Sequence, residues 1–103
     1  MTNKEIYQAI SASTIPTFWD HAPAGTYVPF ITYDTSSDNF AADNIVYHKG
    51  KNIRIVLYNT TKDEALEKKL EDALDAAGIV WECESLFIQD ERVYNTIYTA
   101  AIP

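Results

Sequence analysis

Residues 53–59, Ile-Arg-Ile-Val-Leu-Tyr-Asn, alternate strictly: Ile53, Ile55 and Leu57 on one side, Arg54, Val56 and Tyr58 on the other. That period of two marks a strand, the clearest in the chain. Within a few residues the period changes. Leu66, Leu70, Ala73, Leu74 and Ala77 line one side of a helix over residues 62–77. Thr61-Lys62-Asp63-Glu64 fits a capping box, with Thr61 as cap and Glu64 reaching back, and Gly78 stands where a helix C-terminus favours glycine. Glu64 and Lys68, one turn apart, suit each other as a charge pair. A strand and an amphipathic helix so close together commit the chain to mixed α and β structure.

The rest follows by the same reasoning. Residues 3–12 read as a short helix with Ile6 and Ile10 one turn apart, and Pro16 stops it soon after. Residues 14–27 hold two prolines and a glycine and read as an extended connection, pinned to the body by Phe18 and Trp19. Strands are predicted at 28–35, 44–48, 53–59, 79–88 and 92–102. Asp34–Asn39 reads as a turn-rich tract, and Lys49-Gly50-Lys51-Asn52 as a tight hairpin turn. In the fourth strand Ile79, Trp81, Cys83 and Phe87 oppose Glu82 and Glu84. In the fifth Val93, Ile97 and Ala101 oppose Tyr94, Tyr98 and Ile102. The expected fold is a single α+β domain over 1–103, ordered α-β-β-β-α-β-β, its sheet mainly antiparallel with helices packed on one face.

Composition narrows the function. The 103 residues carry 8 basic and 15 acidic side chains, a net charge of −7 that argues against duplex nucleic acid as a ligand. Residues 62–76 alone hold 3 basic and 6 acidic groups, so much of the excess belongs to one helix surface. No apolar run approaches the ~20 residues that a membrane span needs. The first residues lack the basic-then-apolar order of a signal peptide, so synthesis in the cytoplasm is expected. A lone cysteine, Cys83, makes no internal disulfide.

Chemistry is hard to find. His21 and His48 lie far apart in sequence, and a Cys83–His48 nucleophile pair is disfavoured because Cys83 shares an apolar strand face with Trp81 and Phe87. Asp34, Asp38 and Asp43 have oxygen ligands for a hard cation but not the spacing of a calcium loop. No glycine-rich phosphate loop exists among the 3 glycines. The chain is therefore expected to be no enzyme, with no catalytic residues, no cofactor and no metal.

Tyrosines are more informative. Tyr33, Tyr47, Tyr58, Tyr94 and Tyr98 all fall in predicted strands, often opposite the stronger apolar set. One reading has them straddling core and surface. The other is that two sticky sheet faces and two helices leave one face for another subunit to cover. Candidate contacts are Tyr33, Asp34, Asp38, Phe40, Asp43 and Tyr47, grouped on and around a 34–44 loop that bears no basic residue.

A run of specific residues supports that second reading. Val28-Pro29-Phe30-Ile31-Thr32-Tyr33, then Asn39-Phe40-Ala41-Ala42-Asp43-Asn44 with Tyr47, then Ile55-Val56-Leu57-Tyr58 and the acidic helix opening on Lys62-Asp63, resemble a family of small tail proteins of siphophages and prophages of Gram-positive bacteria. These are tail-completion proteins, also called tail-terminator or head-tail joining proteins. The resemblance implies an α+β fold and a homo-oligomer, typically a hexameric ring, at the head-proximal end of the tail tube. It also implies contact with the tail-tube protein and the head connector, a lumen through which DNA passes without being gripped, and a place in the virion tail. No catalytic residues come with it. A function of another class, an acidic adaptor or inhibitor that binds a basic protein through the helix 62–77 and the neighbouring strands, is the alternative.

Overall fold

The computed structural model describes residues 3–42, 45–89 and 92–102, with side chains omitted at 3, 36–42, 45–51 and 102. The elements are α1 (Asn3–Ser11), β1 (Thr17–Trp19), β2 (Phe30–Ala42), β3 (Ile45–Asn59), α2 (Glu64–Ala76), β4 (Trp81–Ile88) and β5 (Val93–Ile102). The α+β order α-β-β-β-α-β-β is the expected one. The sheet runs β1-β2-β3-β5-β4 and is antiparallel throughout except for the parallel β1–β2 pair.

The same order is reached with different strands. Of the second and third expected strands, 45–48 and 53–59 belong to one strand, β3, and 49–52 make no hairpin turn. The turn-rich tract 34–39 lies inside β2, where Asp34, Thr35, Ser36 and Ser37 stand opposite Arg54, Ile53, Asn52 and Lys51. An unbroken cross-strand ladder outweighs the local turn preference of Asp, Ser and Asn. The additional strand is Thr17–Trp19, within the segment expected to be a plain connection.

Helix α2 starts differently from the capping-box expectation. Its cap is Asp63, whose Oδ1 accepts from the Leu66 amide at 3.1 Å, satisfying one of the first-turn N–H groups that have no partner inside the helix. Lys68 pairs one turn onward with Asp72 at 3.0 Å instead of back to Glu64. The far end is as expected. Gly78 has φ +74, in the left-handed region glycine enters without a Cβ clash, and the Ile79 amide bonds back to Leu74 at 3.0 Å.

Both helices lie on one face of the sheet. Ile6 and Ile10 of α1 and Leu70 and Leu74 of α2 pack with Ile31, Tyr33, Ile53, Ile55, Leu57, Tyr98 and Ala100. Full burial of each large aliphatic group is worth about 1.5–3 kcal/mol. Two polar groups in this layer have partners. The Tyr98 hydroxyl donates to Glu71 at 2.8 Å, and the Lys62 ammonium donates to both oxygens of the nearly buried Glu67 at 2.9 and 3.1 Å. The Tyr98 phenol is pushed far above its ordinary value, first by burial and then by that bond to Glu71.

Candidate assembly surface

Alternation puts a second set of side chains on the opposite face, which neither helix covers. Phe30 stacks on Tyr58 across the β2–β3 pair, ring centroids 4.7 Å apart at 23°, and Phe18 of β1 meets Phe30 edge-on at 6.2 Å. These three rings are half-buried, with Thr32 and Val56 buried among their strands. Ile97 continues the apolar line toward β4, where Leu86 is exposed. Asn95 lies between Tyr58 and Leu86 in register, and its Oδ1 is buried with no hydrogen-bond partner. A lost partner of that kind costs on the order of 1–3 kcal/mol.

Toward the other end the face turns polar. Asp34, Asn52, Arg54, Glu82, Thr99 and Ala101 line an open depression of about 640 Å³, with the exposed Val80 at its rim. Asp34 and Arg54 stand directly opposite one another on β2 and β3.

Beyond this depression the sheet narrows to two strands. β5 accompanies β3 only from Lys51 to Asn59, and β1 accompanies β2 only from Ile31 to Tyr33. From Asp38 and Gly50 outward, β2 and β3 therefore run on as a two-stranded arm, with a register shift between Asn39 and Ala41. The longest dimension of the molecule is 45 Å, against 29 and 24 Å for the others. An isolated pair of strands is marginal in water without further packing.

The expected contact residues are distributed between these parts. Tyr33 is a core residue, 5% exposed, packed against Trp19 at 5.2 Å and Tyr7 at 6.3 Å, so it is unavailable to a partner. Asp34 is the next residue and points to the helix-free face. Asp38, Phe40 and Tyr47 share the arm, where Asp38 is opposite Gly50, so the expected 34–44 loop is mostly strand. Asp43 lies outside the described residues. Tyr98, expected opposite the stronger apolar set, is at the centre of that set and fully buried. Of the strand tyrosines with described side chains, Tyr58 is on the helix-free face. The alternation assigned each side chain its face correctly but gave no indication of which face the helices would take.

Cys83, expected as a small buried hydrophobe, is exposed, because β4 is an edge strand and α2 covers it incompletely. Partial burial, then the neighbouring Glu67 and Glu71 carboxylates, push its thiol above the ordinary value, which disfavours a thiolate at neutral pH. His21 contacts its sequence neighbour Asp20 at 3.1 Å, both exposed. Among the described residues no group of three His, Cys, Asp or Glu side chains is arranged to hold a metal ion, and no helix is long and apolar enough to cross a membrane.

The chain matches no protein-family model and no curated protein sequence. Its class is defined by architecture alone: an α+β domain with one helix-covered face, one helix-free aromatic face and a projecting two-stranded arm.

Proposed function

We propose that this chain is a structural assembly subunit of the tail-completion type, working as a ring of identical copies at the head-proximal end of a phage tail tube. The reading is supported chiefly by a sheet that leaves one apolar face and a two-stranded arm without cover from its own chain. Surfaces of that kind are characteristic of protein contacts. A ring requires a head-to-tail interface that closes on itself, and the molecule has distinct surfaces to offer as its two sides. The resemblance over residues 28–63 adds the location, and the charge of −7 suits a passage that DNA crosses without binding.

The adaptor alternative depends on a free acidic helix. Asp63, Glu67, Glu71, Asp72 and Asp75 each accept a hydrogen bond inside the chain, from Leu66, Lys62, Tyr98, Lys68 and Trp81. Glu67 is nearly buried at its bond to Lys62, so part of that acidic surface is engaged at home, which favours self-assembly.

Light scattering with mass determination, on the chain alone and mixed with a siphophage tail-tube protein, tests the proposal. A mass of several copies in either condition is expected, and Phe30→Ser with Tyr58→Ser should reduce it. A monomer at every concentration in both conditions would falsify the ring.

A further inference from the structure

The outer edge of β4 is eight residues long and unpaired, and residues 82–87 along it are all exposed. Natural sheets protect their edges with short strands, lysines, prolines or bulges. The opposite edge is covered from Ile31 to Tyr33 by β1, which is three residues long and follows Pro16. β4 has none of these devices: it contains no Lys or Pro, and its register with β5 is unbroken from Trp81 to Ile88. Its charges are Glu82 and Glu84.

The arm has two outer edges of its own, and they differ in charge. Past the end of β5, the β2 strand of the arm carries Asp38 and its β3 strand carries His48 and Lys49. Like charges on adjacent strands repel and opposite charges attract, so the β4 edge discriminates in favour of β3. The lengths agree as well, because Ile45 to Gly50 spans about 20 Å and β4 about 27 Å at the usual strand rise. We propose that the β4 edge of one copy takes the free β3 edge of a second copy's arm, Ile45 to Gly50, as an added strand, with the Glu82–Glu84 stretch alongside the His48–Lys49 stretch. The interface joins two different surfaces, so every copy gives an arm and receives one. This deepens the self-assembly reading and rests on it.

The single native cysteine provides the test, since Cys83 lies on the receiving strand. Val46→Cys, Tyr47→Cys and His48→Cys, made one at a time and oxidised with diamide in mildly alkaline buffer, should give disulfide-linked ladders longer than two chains. Wild type can give only a Cys83–Cys83 dimer, and adding Cys83→Ser should remove the ladder. Glu82→Lys with Glu84→Lys should weaken association about tenfold, as should Lys49→Glu, and mixing the two variants should restore it. Oligomers that form no ladder at any of the three positions and ignore both charge reversals overturn the strand addition while leaving the ring intact. A chain monomeric alone and on the tube overturns both.

Discussion

The two faces of this sheet are built from the same strands and differ in what covers them. On β3 the covered face has Ile53, Ile55 and Leu57, and the helix-free face has Arg54, Val56 and Tyr58. Both are apolar enough to need shelter, but the chain has two helices and places both on one side. The covered face became a closed core in which even the Tyr98 hydroxyl and the Glu67 carboxylate found partners. The other face kept aromatic rings half-buried and one amide oxygen of Asn95 unsatisfied. Burial alone does not distinguish a core from an interface. Among the described residues, the buried side-chain polar atom without a partner, Asn95 Oδ1, lies on the helix-free face.

The comparison breaks most easily at the core. Ile55→Ala, at a fully buried position, should destabilise the chain by about 3 kcal/mol in a urea melt, since the cavity forms under two helices. A cost below about 1 kcal/mol would mean the covered face is loosely packed.

Tyr98→Phe tests the pairing within that layer and should cost about 1–2 kcal/mol near neutrality. It should also alter the alkaline limb. Burial foremost raises Tyr98 and Tyr33, and the Glu67 hydrogen bond foremost raises Lys62, from ordinary values of 10.0, 10.0 and 10.5. A folded pKa above the unfolded one gives stability that is complete below the unfolded value and lost as pH climbs past it. Wild type should therefore weaken above pH 10, with Tyr98 contributing a slope of about 1.4 kcal/mol per pH unit. The variant should weaken less steeply over that range. An unchanged slope would remove Tyr98 from the account.

The smallest effect on folding belongs to the helix-free side. Leu86→Ser, at a position 51% exposed, should shift the urea midpoint of the monomer by under about 0.5 kcal/mol equivalent while lowering the apparent mass at high concentration. A large folding cost would make Leu86 part of a closed core and erase the contrast.

Where local pattern and tertiary context agreed, the residues alone were enough. The stripe Leu66, Leu70 and Leu74 became the buried side of α2, and the alternation in 53–59 and 92–102 put each residue on its actual face. They misled where pairing overrode local preference. Asp34 to Asn39 have turn chemistry but run inside a long ladder, and Lys49-Gly50 continues a strand. Thr17–Trp19 is too short to show any period, and its place is set by Tyr33 and Phe30 across the ladder. The tyrosines made an uncovered face foreseeable, but not that Tyr33 and Tyr98 would belong to the other one.

The short parallel strand has a consequence for how the molecule opens. The first twenty residues reach the sheet through three β1 pairings, with backbone bonds from the Ile31 amide to Pro16 at 2.7 Å and from the Asp20 amide to Tyr33 at 2.8 Å, plus Ile6 and Ile10 in the core. Segments held by so few rungs exchange their amide hydrogens at lower opening free energy than central strands such as β3 and β5. Peeling β1 away would free the outer edge of β2 over all 13 of its residues and bare Ile31 and Tyr33 beside it. Three residues thus act as a guard rail for the part of that edge nearest the core, around Ile31 and Tyr33, while the rest of the sheet stays folded.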